Sequence, residues 1–395
     1  MISLLVVIYI VFVSLGLPDS MFGAAWPVIH TDINIPESFA SFYGIITGAC
    51  AGGVSFLAGY VIRKFGTPKV TFFSILLTSI GLFGISLAPN IIIMMIFTVI
   101  MSYGAGAIDT GLNNYVSLHF KAKHMSWLHC SWALGVTISP LVLSFVLNNG
   151  LSWRISYRII ALIQLTIAGI VALNLKRWIA QSKGQTKQTI DDKKQNNIDE
   201  KFHFFKFKGL ITSILSQGFY CSMEFTIGTW GATYLVNVYD SNPAKAAKWI
   251  SLYYAGIMLG RIVSGFVSMK SDDKTLIRGG ILFSSAGLLF LFAPAGEIAA
   301  IGLLFIGFGF GPIFPSILHS VPERFGKKFS ADITGFHMGG AYATGFTIQL
   351  IFGFVATATT FKIMPYVLLS LCVLVFTMNE ITIKKVKQNE ICLNT

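Results

Sequence analysis

The chain has 395 residues, of which 54% are hydrophobic and only 12% are charged, about half the charged share of an ordinary soluble domain. A soluble fold of this size needs far more polar surface around its core, and a disordered chain has low hydrophobicity. Five cysteines are too sparse for a secreted disulfide scaffold. The composition therefore predicts a polytopic integral membrane protein embedded in a lipid bilayer.

Twelve stretches are long and apolar enough to cross the hydrocarbon layer, which takes about 20 helical residues. In chain order they are 2–30, 39–62, 69–88, 90–117, 125–148, 157–175, 207–239, 247–269, 275–293, 297–321, 331–356 and 362–383. The alternative, a β-barrel, would show alternating segments of about ten residues, and runs such as 91–100 do not alternate. The prediction is an all-α membrane protein with twelve transmembrane helices.

The first stretch could alternatively be a signal peptide. It has no basic n-region, and 23–25 offer only a faint small-residue cleavage site. Pro18 and Asp19 interrupt its apolar run, which is untypical of a signal peptide. We therefore expect a retained first helix.

The basic residues are unevenly distributed between the two predicted membrane faces. Most of the 29 lysines and arginines fall in six segments of one face, namely 63–69, 121–123, 176–208, 270–278, 324–328 and 384–387. The positive-inside rule then places both termini in the cytoplasm. We expect the membrane to be the inner (plasma) membrane. The net charge of +12 is explained by this topology, so we expect no nucleic-acid partner.

A polar stretch at 176–206 lacks an apolar period and predicts a cytoplasmic linker. It separates an N-terminal six-helix bundle at 1–175 from a C-terminal one at 207–395. The halves share features in matching order: an acid followed by Gly and Trp in spans 1 and 7, a Gly-x-Gly-x-Ile run in spans 4 and 10, and a His in spans 5 and 11. Such halves often enclose a substrate site at mid-membrane.

Four ionisable residues lie well inside predicted spans, where a charge costs about 2.5–3.5 kcal/mol on insertion scales. Asp19 adjoins Pro18, which disturbs the helix, so we expect a free carbonyl beside the carboxyl, a combination that suits a proton or cation. Asp109 lies among glycines, and burial favours its protonated form. Both are candidate proton-coupling groups. Glu224 and Arg261 could pair as structural glue, or Glu224 could bind substrate and Arg261 could serve gating.

Other polar side chains in the spans are candidates for contact with a small-molecule substrate. They are Asn113, His129, Trp132, His337 and Gln349. For each the alternative is a satisfied structural group in the helix bundle. The sequence has no Walker loop, no Cys/His cluster with metal spacing and no nucleophile elbow. We therefore expect neither an enzyme nor a metal site nor an organic cofactor.

Twelve spans in two sixes with a basic central loop resemble the major facilitator superfamily. The loop after span 2, Gly59 to Lys69, resembles that superfamily's G-x-x-x-D-R-x-G-[RK] pattern, with Arg63 in place of the usual Asp, followed by Lys64. In the superfamily this loop takes part in an intracellular charge network. The resemblance therefore implies a gating or structural role for Arg63 and Lys64.

Within the superfamily the chain most resembles the fucose permease (fucose:proton symporter) group. Asp19 matches that group's acid in span 1, and 108–113 resemble its span 4 pattern, with Asp109 in place of Glu. His129 stands in place of a Gln, and Trp132 in place of a substrate-binding Asn. Residues 224–234, 260–261 and 311–315 also resemble the wider group. The resemblance implies that Asp19 and Asp109 titrate with protons and are linked to the sugar.

These features favour a monomeric proton-coupled symporter of a small polar solute such as a sugar, working by alternating access. The alternative is a proton-driven exporter of drugs or metabolites, which the 34 Phe and 12 Met would suit. The proton is the expected coupling ion, and sodium is a variant, since membrane carboxylates can hold either. A membrane sensor or enzyme would need a soluble domain, and a channel would need a repeated filter.

Overall fold

The computed structural model describes residues 4–119, 122–193, 207–326 and 330–394, and all the regular structure in these ranges is helical. The helices are α1 (Leu4–Asp19), α2 (Met21–Asp32), α3 (Ala40–Phe65), α4 (Thr67–Leu87), α5 (Ile91–His119), α6 (Ala122–Asn148), α7 (Trp153–Lys193), α8 (Leu210–Tyr239), α9 (Pro243–Val267), α10 (Asp273–Leu289), α11 (Gly296–His319), α12 (Val321–Phe325), α13 (Ser330–Ala358) and α14 (Met364–Asn394). Single 3₁₀ turns lie at Glu37–Phe39, Phe290–Phe292 and Phe361–Ile363.

Among the described residues, ten helical stretches are long and apolar enough to cross a membrane. Two of them join neighbouring helices, α1 with α2 and α11 with α12. The helices α3 and α8 are not among these ten, but their 26 and 30 residues also exceed the roughly 20 needed. Each of the twelve predicted spans therefore contains a long helix, and the predicted all-α, multi-pass architecture is confirmed.

The predicted linker is partly helical. The helix α7 continues to Lys193, so 176–193 extend the sixth span rather than forming an irregular loop. The remaining linker residues, 194–206, lie outside the described residues. The boundaries at 1–175 and 207–395 rest on chain order and the internal repeat, and they stay a prediction.

By packing, the chain divides into two compact units that are discontinuous in sequence. The first comprises Met1–Asp19, Ile46–Ser139 and Leu151–Lys201, and the second comprises Ser20–Ile45, Pro140–Gly150 and Phe202–Thr395. The boundary between the two units falls after Asp19, between α1 and α2, because α2 packs on α8 and α9 of the second unit. At that contact a Cβ on Gly23 would overlap the carbonyl of Gly228. Small residues thus let membrane helices approach closely.

The first unit has a core built around α1. Its buried members include Val7, Ile8, Val11, Phe12 and Leu15 of α1, which pack with apolar residues of α4, α5, α6 and α7. Because lipid tails are as apolar as these side chains, packing and not hydrophobicity must hold the helices together. The core fixes the position of the end of α1, where Asp19 lies.

The backbones of α1 and α6 are in direct contact. A Cβ added to Gly16 would overlap the carbonyl oxygen of Trp132, and one added to Gly135 would overlap that of Val13. Glycine is therefore required at both positions for the helices to approach this closely. This contact brings the side chain of Trp132 beside the C-terminal end of α1.

We predict that Gly16→Ala lowers the thermal stability of the purified protein by several degrees, since overpacking costs about 1–3 kcal/mol. The measurement is thermal unfolding in detergent. Gly169→Ala in α7 is the matched control, because a Cβ there meets no atom within 4 Å. Equal melting temperatures for the two variants would contradict the close contact.

Candidate functional site

The first span breaks at Pro18, where α1 ends and α2 begins one residue after Asp19. Pro18 has no N–H, so the carbonyl of Ser14, four residues earlier, loses its usual helical donor. Gln164 Nε2 donates a hydrogen bond to that carbonyl at 2.5 Å. Ser139 Oγ donates to the carbonyl of Leu17. Side chains therefore satisfy both carbonyls at the break.

This bonding changes one expectation from the sequence. A free carbonyl was expected to join the Asp19 carboxyl, but those of Ser14 and Leu17 already accept hydrogen bonds. Neither Gln164 nor Ser139 is among the predicted site residues. The signal that points to them is the proline itself, because a proline inside a membrane span obliges neighbouring helices to supply donors.

The Asp19 side chain stands beside Trp132. Trp132 Nε1 donates a hydrogen bond to Asp19 Oδ2 at 2.7 Å. Asp19 is exposed, although residues 14–18 and 20–27 around it are all buried. A carboxylate facing hydrocarbon would be costly at this depth. We therefore infer that Asp19 faces a water-accessible opening rather than lipid.

The second predicted proton-coupling acid lies in the middle of α5. Asn113, one turn later, donates through Nδ2 to Asp109 Oδ1 at 2.7 Å. Asp109 is half-buried and makes no ion pair with any residue that the structure describes. A carboxyl whose partner is a neutral amide can gain or lose a proton without breaking an ion pair. This arrangement suits a group that loads and releases protons.

His129 also lies at the contact between α1 and α6. Its ring meets Phe12 edge-on at 6.1 Å between ring centroids, and its side chain is half-buried. Trp132 follows three residues later on the same helix face. Asp19, His129 and Trp132, all predicted, therefore lie along one interface in the first unit.

In the second unit, Glu224 and Arg261 share two neighbours. Tyr220 and Tyr253 each interact electrostatically with both of these charged residues. The Tyr220 hydroxyl donates to the carbonyl of Phe310 at 3.2 Å. Tyr220 of α8 and Tyr253 of α9 therefore each lie within electrostatic range of both an acid and a cation. The two tyrosines are not among the residues predicted from the sequence.

Two predicted substrate-binding residues of the second unit are completely buried. His337 Nδ1 lies 2.7 Å from Gln217 Oε1, and both side chains are 0% exposed. Gln349 is also 0% exposed, and neither of its amide atoms has a hydrogen-bond partner within the described structure. Substrate could reach these groups only after the helices around them move.

Of the two predicted gating residues after span 2, the structure describes the side chain of Lys64 only. Lys64 is exposed, with its Nζ 5.4 Å from the ring centroid of Phe65. The side chain of Arg63 lies outside the described residues. In the ranges that the structure does describe, no group of three or more His, Cys, Asp or Glu side chains could hold a metal ion.

A known family model matches most of this chain. Residues 8–350 match the model of the Major Facilitator Superfamily. The chain belongs to the major facilitator superfamily. It is accordingly a transmembrane transporter of small molecules and not an enzyme, as the sequence resemblance implied.

Curated members of the superfamily are similar over most of their length. The chain is 25% identical over 325 residues to the glucose/mannose transporter GlcP of Bacillus subtilis, covering 75% of each chain. It is 22% identical over 339 residues to the cis,cis-muconate transport protein of Acinetobacter baylyi, covering 80% of this chain and 77% of the other.

A solved structure of a D-xylose-proton symporter matches this superfamily member with a TM-score of 0.74 and 15% sequence identity. The match covers 95% of this chain and 96% of that one. At this identity the similarity establishes the fold.

We predict that Gln164→Met, which keeps the length of the side chain but removes its donor, destabilises the protein by about 1–3 kcal/mol. The reason is that the Ser14 carbonyl would stay buried without a partner. Thermal unfolding measures the effect. Thr166→Val on the same helix is the control, since Thr166 is exposed and bonds only within its own helix. Unchanged stability in Gln164→Met would refute this role.

Proposed function

We propose that this member of the superfamily is a proton-coupled symporter that takes up a sugar by alternating access. The observation that carries the proposal is the exposed Asp19 carboxylate inside a 29-residue apolar span, held at 2.7 Å by the indole of Trp132. The wider proposal includes a location in the inner (plasma) membrane, both termini in the cytoplasm, and a monomer.

A carboxylate beside an indole suits a sugar. Sugar hydroxyls can donate hydrogen bonds to Asp19, and the face of Trp132 offers an apolar surface for the C–H groups of the ring. Pockets of this kind combine apolar surface with a few placed polar groups. The glucose/mannose transporter among the relatives and the resemblance to the fucose permease group support the same class of substrate.

The charges of the site argue against an anionic substrate, although one relative is a muconate transport protein. In the first unit, both ionisable residues predicted inside the spans are acids, namely Asp19 and Asp109. A dicarboxylate that approached Asp19 would meet repulsion from its carboxylate, whereas a neutral sugar would meet a hydrogen-bond acceptor.

Coupling would use the change of charge at Asp109. Protonation from the outside neutralises its carboxyl, which lowers the cost of closing the site away from water. A membrane potential of 100 mV supplies ~2.3 kcal/mol per proton, and one pH unit adds ~1.4 kcal/mol. The membrane potential and the pH difference each supply enough free energy to offset at least a tenfold sugar gradient. Sodium at the same carboxyls is the variant that an ion-replacement assay separates.

The rival function is a proton-driven exporter of drugs or metabolites. It would use the same acids with a more apolar site. Two residues of α6 favour the polar solute, namely Trp132, which donates a hydrogen bond to Asp19, and His129, which lies one turn earlier on the same helix. Proton movement in proteoliposomes distinguishes the exporter from the symporter.

The test uses proteoliposomes without an imposed gradient, challenged with glucose, mannose, xylose and fucose. We expect one of these sugars to make the external medium alkaline in wild type, and we expect at least a tenfold loss in Asp109→Asn. Asp109→Glu, which keeps the carboxyl, is the matched control and should retain coupling. If no sugar moves protons while a lipophilic cation is expelled under an imposed gradient, the exporter replaces the symporter.

A second variant separates sugar binding from coupling. Trp132→Phe removes the indole donor to Asp19 while keeping an aromatic ring, so we predict that KM for the sugar rises about tenfold, as expected for loss of a charge-assisted hydrogen bond. The number of protons moved per sugar should stay the same. Sugar counterflow, which needs no proton gradient, measures the KM. An unchanged KM would remove Trp132 from the substrate site.

A further inference from the structure

The second unit contains a cavity that the transport site does not use. Its volume is about 310 Å³, and it lies between α10, α12 and α14. The lining residues are Lys274, Glu323, Arg324, Ile383, Val386 and Lys387. Three cations and one carboxylate therefore surround it, and two aliphatic side chains form part of its wall.

The three cations are available to a ligand. Lys274, Arg324 and Lys387 make no ion pair with any residue in the described ranges. Two nearby acids already have partners. Asp273 pairs with His319 at 2.8 Å, and Glu380 is held by Arg278 through two hydrogen bonds of 2.7 Å.

Arg324 is the best-placed of the three cations. It is half-buried, and its Nη2 donates weakly to Asn379 Oδ1 at 3.4 Å. Its buried Nε has no hydrogen-bond partner within the described structure. Burying a guanidinium N–H group without an acceptor is costly. A guanidinium can bind phosphate oxygens through two parallel hydrogen bonds.

The depth of the cavity matches that of a lipid headgroup. Lys274 lies near the start of the span Asp273–Phe292, Arg324 near the end of Gly296–Phe325, and Lys387 near the end of Phe361–Gln388. All three thus lie at the end of a membrane span. Their segments carry basic residues that the positive-inside rule assigns to the same membrane face, and basic pockets there bind anionic headgroups.

We propose that this cavity binds a phosphate group through Arg324, Lys274 and Lys387, with Ile383 and Val386 against the apolar part of the ligand. The Glu323 carboxylate would repel the anion, but the three cations outnumber this single carboxylate by two. The phosphate would come either from an anionic phospholipid headgroup or from a soluble phosphate. The proposal is independent of the transported substrate.

The test titrates delipidated, full-length protein with dioleoyl phosphatidylglycerol and counts bound lipid by native mass spectrometry. We expect Arg324→Gln to weaken binding about tenfold, in line with the loss of one charge-assisted hydrogen bond. Lys387→Gln, at an exposed position that folding tolerates, should weaken it as well. Lys384→Gln is the matched control, since Lys384 is exposed on the same helix but does not line the cavity.

A second arm adds inorganic phosphate as a competitor. If millimolar phosphate displaces the lipid in wild type, the site accepts soluble phosphate as well. If it does not, while Arg324→Gln still loses lipid, the ligand is the headgroup of a lipid. Equal lipid binding by wild type, Arg324→Gln and Lys387→Gln would overturn the proposal, and so would an equal loss in Lys384→Gln.

Discussion

The structure depends on one constraint: inside a membrane, each backbone carbonyl and each ion needs a partner within the protein or access to water. Pro18 breaks this rule locally by removing a donor in the middle of the first span. The protein restores it with Gln164 and Ser139, which come from two other helices. These two bonds tie the end of α1 to α6 and α7. The break therefore places Asp19 at a defined point instead of loosening the helix.

Close backbone contact makes those bonds possible. Gly16 and Gly135 let α1 and α6 approach until their backbones touch, and only at that separation can the Trp132 indole reach Asp19 at 2.7 Å. A larger residue at either glycine would push the indole away from the carboxylate. The packing of small residues, which first looks like a matter of stability, therefore also sets the geometry of the candidate site.

The sequence was sufficient to predict the architecture because hydropathy reports directly on membrane helices. It predicted long helices at all twelve spans, including α8, and it singled out Asp19, Asp109 and Glu224 because charge is rare in hydrocarbon. It did not predict the helix within the linker, where α7 continues to Lys193 although 176–193 carry no apolar period. A helix in water needs no such period when it extends an existing helix, because nucleation is already complete.

Partners across helices were harder to predict. Nothing local in the sequence pairs Trp132 with Asp19, Gln164 with Ser14, or His337 with Gln217. Each of these contacts joins residues more than 100 positions apart, and only the packing of the helices determines which side chains meet. The same reason explains why Tyr220 and Tyr253 were missed: a tyrosine in a span is ordinary until an acid and a cation are found beside it.

The acids of the two units have different partners, and the difference separates their roles. Asp109 has a neutral amide for a partner, so its charge can change at the cost of a single hydrogen bond. Glu224 shares its tyrosine neighbours with Arg261, so it belongs to a polar cluster instead of standing beside one neutral amide. The proposed coupling therefore fits Asp109 better than Glu224. Glu224 is better suited to a structural role in a polar contact between α8 and α9.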